Sequence, residues 1–456
     1  MTGVRSHSLD GPRSYSLDTM LHSLLGSRAF LRVYAAFAFF TLLAGDAWRY
    51  SLTWWGFSAI AAVISVISVL LLVHYRDRWR LGGLPLGLLG FVALAALSIL
   101  WSFYPGATAV GLAANWLTVL SGVAFAVAFD WATLLRSLGV ALRLLLAGSL
   151  LFELVVSLFV RQPLLPFWKD YSDEKMPLAK SLYWSRDLLL DGGKIQGLVG
   201  NSALLGFLAL LGLIVFGVQL AQAKRRRALG VFWMLLAAVC VYLTRSATIT
   251  VAIVAVLVVA LAIAAFRVAP DARARRLLYV LFAAVTLALV VVGTVFRSQL
   301  LGLMGKKDTL TGRTDIWETV TDLAQQRPVF GWGWVSYWAP WAKPFDDLAF
   351  EGGVHQYQAH NAWLDLWLQL GIVGVVVFGA LFLSSVVRAW FFATDRPQFA
   401  PGTTGAYSAT SALPLLVLTA LAVQSLVESR LIIEYGIVLL VVIAVKTKRG
   451  DPVERL

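Results

Sequence analysis

The chain has 456 residues, 59% hydrophobic and only 14% charged, with a mean hydropathy of +0.78. Soluble domains carry about a quarter charged residues, so these proportions exclude an ordinary soluble enzyme, a disordered chain and a coiled coil, and leave an all-α integral membrane protein. The net charge of +13 belongs in such a chain to loops that set orientation, rather than to nucleic-acid binding.

Apolar stretches of about 20 residues predict about twelve transmembrane helices. They fall near 29–45, 52–74, 84–103, 109–131, 138–160, 200–222, 229–244, 247–266, 277–296, 361–387, 411–427 and 431–446. The first lacks a small-residue cleavage site and reads as a retained signal anchor. Basic clusters occupy alternate connections: Arg28 and Arg32; Arg76, Arg78 and Arg80; Arg136; Lys224 to Arg227; Arg273, Arg275 and Arg276; Arg388 and Arg396; Lys446, Lys448 and Arg449. By the positive-inside rule these connections and both termini are cytoplasmic. The chain then divides into 1–296, with nine spans and an outer loop at 161–199; 297–360, a large outer loop; and 361–456, with three spans and a tail. Residues 400–412 read as a flexible linker. Cys240 lies in an apolar run and reads as a small buried hydrophobe, which rules out an intramolecular disulfide.

The first outer loop ends in GLVGN, with Arg186 and Asn201 near its return to the membrane. Glu153, deep in the fifth span, is the residue a transporter reading would seize on. Arg245 sits at the outer turn between spans seven and eight, and Arg430 between spans eleven and twelve, flanked by Glu428 and Glu434. The second outer loop contains TGRTDIWETVTDLAQQRP. Ile316, Val320 and Leu323 share a helical spacing with Trp317 beside them, which predicts an amphipathic helix opened by Arg313, capped by Thr311 or Thr314 and stopped at Pro328. Such a helix lies on a membrane surface or roofs a cavity. FGWGW, Tyr337, Trp338 and Trp341 follow, readable as an interfacial belt or as a stacking platform for sugars. His360 and Asn361 then open the tenth span, where free backbone N–H groups favour an anion, and Asp365 falls on the same face.

Arginine offers a permanent charge and a bidentate fork, so several arginines converging at one leaflet would make a diphosphate site; snorkelling and structural ion pairing are the alternatives for each. No Walker A, GxGxxG, HExxH or DxD sequence and no Ser-His-Asp spacing is present. Nucleotide and metal cofactors are therefore not expected, and the substrate must arrive activated.

From His360 to Gly374 the sequence reads HN-x9-GxxG, which resembles the bacterial O-antigen ligases of the O-antigen ligase and polymerase superfamily. TGRTDIWE, RPVFGWGW and GLVGNSALLG look like that family as well. The resemblance implies a GT-C-like fold in the bacterial inner membrane, with a partly helical periplasmic loop before the tenth span and the active site on the periplasmic face. It implies transfer of a polysaccharide from an undecaprenyl-diphosphate-linked donor to a lipid A-core acceptor, without nucleotide or metal. By position, Arg245, Arg313 and His360 look like the family's essential basic residues. Arg186, Asn201, Asn361, Asp365 and Arg430 are expected to contact diphosphate or glycan. A sugar diphosphate carries its own leaving group, so departure needs anion stabilisation, and a single displacement inverts the anomeric centre. His360 suits either deprotonation of the acceptor hydroxyl or a further hydrogen bond to phosphate. A polymerase or protein O-oligosaccharyltransferase of the same superfamily would share the donor; a transporter or lipid flippase is the reading of a different class.

Overall fold

Each predicted span falls on a helix. The computed structural model describes residues 17–172, 178–223, 225, 227–296, 299, 312–351, 353–400 and 403–451. Lys224, Arg226 and Thr311, all named above, lie outside them. In chain order the helices are α1 (Leu17–Gly26), α2 (Arg28–Leu43), α3 (Gly45–His74), α4 (Leu86–Leu97), α5 (Pro105–Ala128), α6 (Trp131–Val155), α7 (Ser202–Gln222), α8 (Arg227–Thr244), α9 (Ala247–Val268), α10 (Ala272–Val295), α11 (Arg313–Gln325), α12 (Ala362–Thr394), α13 (Leu413–Ser425) and α14 (Glu434–Arg449).

Eight of these are long and apolar enough to cross a membrane. The other four predicted spans fall on α2, α4, α13 and α14, which have 12 to 16 residues. The described chain is thus a mostly helical, all-α membrane protein, in which eight helices have the length and composition to span. α14 is apolar around most of its circumference and is buried accordingly, packed against α5 and α12. α10 buries nothing.

Two helices are broken along their length. In α3 the break is at Thr53, so Gly45–Leu52 forms a separate turn carrying Asp46 and Arg49. In α12 it is at Gly371, φ 65°. There the irregular segment from Pro328 to Gly333 lies against the helix: Trp332 N donates to Leu368 O (2.9 Å), Gly333 N to Gln369 O (2.9 Å) and Ile372 N to Pro328 O (2.8 Å). A Cβ on Gly371 would sit 2.1 Å from Val329 O, which explains the first glycine of GxxG.

The connections separate to two ends of the bundle. At one end Lys446 Nζ donates to Phe129 O (2.9 Å), Lys448 Nζ to Leu84 O (2.6 Å), and Arg275 pairs with Asp395 (2.9 Å). These are connections that carry the basic clusters. The other end gathers residues 46–50, the loop from 161 to 201, α11 and residues 426–434.

Candidate functional site

The second large loop folds as a small core of its own against α12. Ile316, Val320 and Ala324 of α11 pack with Val335, Trp338, Phe345 and Leu368. The amphipathic spacing is thus used inward, onto protein. Thr314 does not cap this helix: Gly312 occupies the N-cap at φ 80° with no side-chain bond, and Thr314 lies inside the first turn. The aromatic run splits. Trp334 and Trp338 are fully buried and offer no stacking face, whereas Trp341 is exposed. Trp338 Nε1 donates to Asp365 Oδ1 (2.8 Å) and Trp317 Nε1 to Ala359 O (3.0 Å), so both indoles fix the approach to His360.

Glu428 is the centre of the site. Its Oε1 accepts from Arg313 Nη2 at 2.6 Å and its Oε2 lies 3.1 Å from His360 Nδ1. One carboxylate thereby joins α11, the start of α12 and the turn after α13. The carboxylate side chain is 6% exposed, against 18% for each of its two cations. The anion is behind and the cations are in front, so the surface presented outward is positive. Burial pushes the Glu428 carboxyl up, but the charge and hydrogen bond of His360, together with Arg313, outweigh it and hold the group at about 2.

His360 has an acceptor at each ring nitrogen. Nε2 lies 3.1 Å from Gln356 Oε1, and Gln356 is turned that way because its amide nitrogen donates to Glu351 O (3.1 Å). With a carboxylate at Nδ1 and an amide oxygen at Nε2, both nitrogens must carry hydrogen for both bonds to form. A neutral ring donates at one nitrogen only and so makes one of these two hydrogen bonds. Its backbone is left-handed, φ 49°, an uncommon conformation for a residue with a Cβ.

Asp365 holds these parts in register. It is buried and accepts from Trp338 Nε1, from Ala359 N (3.0 Å) and from Ser429 Oγ. Ala359 precedes His360 and Ser429 follows Glu428. All the polar partners that a buried carboxylate requires come from protein, which makes Asp365 a positioning residue rather than a group free for glycan. Asn361 caps α12, its Oδ1 accepting from Trp363 N (3.0 Å) and Leu364 N (3.3 Å); Asn201 does the same for α7, accepting from Ala203 N (2.8 Å) and Leu204 N (3.2 Å).

Arg430 is taken up in a second, buried network. It pairs with Glu434, with Asp46 (3.3 Å) and with the Tyr337 hydroxyl (2.6 Å). Arg49 closes the ring on Asp46 (2.9 Å) and Glu434 (2.8 Å). Two guanidinium and two carboxylate groups therefore balance, and Tyr337 ties the second loop to them. Trp168 Nε1 donates to Arg49 O (2.6 Å), which ties the first loop to the same point.

The first-loop side carries the remaining predicted residues. Glu153 accepts from Ser185 Oγ (2.7 Å), Gln196 N (2.8 Å) and Gly197 N (2.7 Å), so it anchors the loop. A Cβ on Gly200 would meet Tyr50 at 2.2 Å, the neighbour of Arg49. Arg245 is exposed at the α8–α9 turn with φ 45°, beside Gly192 of the loop. Arg186 is partly buried. Among the described residues neither guanidinium has a hydrogen-bonding or ion-pair partner. The structure thus brings Arg313, His360, Asn361 and Asp365 together directly, keeps Arg430 one network away, and leaves Arg245, Arg186 and Asn201 on the first-loop side, out of contact with that cluster.

Sequence reasoning treated Glu428 only as a flank of Arg430 and Tyr337 only as part of an aromatic run, and it missed Gln356, Asp46 and Arg49. The signal available was the charge at the ends of apolar spans, where an ionisable group needs a partner.

Comparison with known proteins places the model described as O-antigen ligase on residues 232–379, from α8 to the middle of α12. The chain is also 30% identical over 203 residues to the Exopolysaccharide production protein ExoQ of Rhizobium meliloti (strain 1021); that match spans 41% of this chain and 45% of the relative, less than half of each. The matched segment contains Arg245, Arg313, His360 and both glycines of the motif. Residues 232–379 match the family model described as O-antigen ligase, the family that the HN-x9-GxxG motif resembles.

Proposed function

We propose that this protein transfers O-antigen polysaccharide from undecaprenyl diphosphate to the lipid A-core oligosaccharide at the periplasmic face of the inner membrane. The observation that carries the reading is that Arg313 and His360, both inside the matched residues 232–379, meet on the buried Glu428 carboxylate, which lies beyond them. In a sugar diphosphate the bond that breaks is between the anomeric carbon and a phosphate oxygen, and charge develops on that oxygen. Preorganised cations in a water-poor site stabilise such charge by several kcal/mol, on the order of 3 kcal/mol for a single donor. Arg313 uses one nitrogen on Glu428 and keeps the rest of its fork for phosphate. His360, as an imidazolium, adds charge rather than acting as base. Arg245 and Arg186, without partners among the described residues, grip the diphosphate as well. The acceptor hydroxyl attacks from the face opposite the leaving diphosphate, the configuration inverts, undecaprenyl diphosphate departs as the anion with the bonding electron pair, and the hydroxyl proton passes to water. Neither nucleotide nor metal takes part.

A test is reconstitution of the purified protein in liposomes with undecaprenyl-diphosphate-linked glycan and lipid A-core, without ATP or divalent metal. Transfer is expected, with inversion seen by NMR of the new linkage; no product from verified substrates would defeat the assignment. A second reading, polymerisation of repeat units for an exopolysaccharide, draws on the likeness to ExoQ. It uses the same cations and differs in acceptor, so a deletion strain separates the two: lipid A-core without polymer supports ligation, and single repeat units support polymerisation.

A further inference from the structure

An apolar groove of about 420 Å³ lies between α7, α8, α9 and α13, at the end of the bundle away from the candidate site. Leu213 and Gly217 of α7, Met234 of α8, Leu257 of α9 and Leu416 of α13 line it, and its one charged lining residue is Arg267. Arg267 donates from Nε to Ala393 O (2.8 Å) and from Nη2 to Ser411 Oγ (2.8 Å). Its remaining nitrogen, Nη1, has no acceptor among the described residues. The guanidinium lies 5.0 Å from the centre of the Tyr407 ring, and exposed Arg396 lies 5.5 Å from the same ring. Arg275 nearby is matched by Asp395. The groove therefore ends on Arg267, with Arg396 on the same Tyr407 ring, and among the described residues neither guanidinium pairs with a carboxylate.

We propose that this groove holds one acyl chain of an anionic phospholipid, with its phosphate on Arg267 and Arg396. A polar occupant would find no partners along the walls, and water would leave most of its hydrogen bonds unmade. A hydrocarbon chain fills such a space without that loss. The charged end selects an anion, since each arginine near a membrane surface adds about 1 kcal/mol for anionic lipid. The lipid is distinct from the glycan donor. α12 runs from its Asn361 cap, next to the His360 and Glu428 cluster, to Ala393 and Thr394 at Arg267, so its 33 residues separate the two sites. One diphosphate cannot serve both.

The full-length protein, purified in detergent and stripped of lipid, would be mixed with equal amounts of phosphatidylglycerol and phosphatidylethanolamine and the retained lipid read by native mass spectrometry. Preference for phosphatidylglycerol on the order of tenfold is expected from two arginines. Gly217→Phe fills the groove where a Cβ meets nothing within 4 Å, and it should remove most of the retained lipid without lowering the melting temperature. Arg396→Ala should cut the preference to about threefold, the share of Arg267 alone, while leaving lipid bound. Arg267 also holds α9 to the α12 end, so these two variants carry the test. Equal retention of the two phospholipids, or unchanged retention by Gly217→Phe, would overturn the proposal. Stoichiometric displacement of phosphatidylglycerol by added undecaprenyl phosphate would overturn it in favour of a prenyl chain.

Discussion

The imidazole of His360 and the carboxylate of Glu428, 68 residues apart in sequence, meet at 3.1 Å, with Arg313 on the other oxygen of the same carboxylate. Removing the carboxylate frees both cations at once. Glu428→Gln should therefore lower transfer by about 100-fold or more, on the scale of one lost preorganised contact in a water-poor site. Glu428→Asp should recover part of it, since the charge stays while the reach shortens. Radiolabelled transfer in proteoliposomes measures both, and near wild-type activity of Glu428→Gln would remove Glu428 from the site.

The same carboxyl is held at about 2, below the ordinary carboxylate range. A depressed folded-state pKa stabilises the protein above the unfolded value, and that stabilisation is lost as pH falls through the folded one. The advantage of wild type over Glu428→Gln in thermal unfolding should accordingly be present at pH 5 and narrow from about 4.5 towards 2. An advantage that grows with acidification would contradict the ionised cluster.

His360→Ala should abolish transfer while expression and membrane insertion persist, because the ring contacts only Glu428 and Gln356 at its polar atoms. Full ligation by this variant would end its place in the mechanism. Arg313→Lys and Arg245→Lys keep charge and lose the planar fork, so each should lose most of its activity. If both lysine variants ligate normally, the two arginines act as topology signals alone.

Asp365→Asn tests positioning. An amide cannot accept well from Trp338, Ala359 and Ser429 together, and the unmet bond of a buried group costs about 1–3 kcal/mol. A lower melting temperature with weakened transfer is expected. Unchanged stability would show that water replaces the bond.

Arg430→Met leaves Asp46 and Glu434 with a single cation, Arg49, in a buried network. Breaking one side of such a network costs about 3–5 kcal/mol, while apolar replacement of a whole pair is far milder. Chemical unfolding in detergent should rank Arg430→Met below Arg430→Met combined with Glu434→Leu. The reverse order would mean that Arg430 is free for substrate rather than committed to the fold.

Much of the architecture follows from composition and periodicity. Apolar runs must lie in lipid and satisfy their backbone bonds as helices, so the positions of the helices and the burial of Cys240 were legible from the residues alone. The motif from His360 to Gly374 was legible too, although its glycine has a reason that emerges only from the FGWGW segment lying against α12 at Gly371. Hydropathy does not encode which long-range charges meet. Asp46 and Arg49 sit almost four hundred residues before Glu434 and Arg430, and no local pattern links them. The amphipathic face of α11 was read as facing membrane or cavity; it packs on protein because the loop supplies its own core. The sequence determined the chemical inventory, cations at one end of an apolar bundle. The tertiary structure decided which of them are spent on one another and which, with Glu428 behind them, remain to face an anion, because pairing depends on distances that helix packing alone sets.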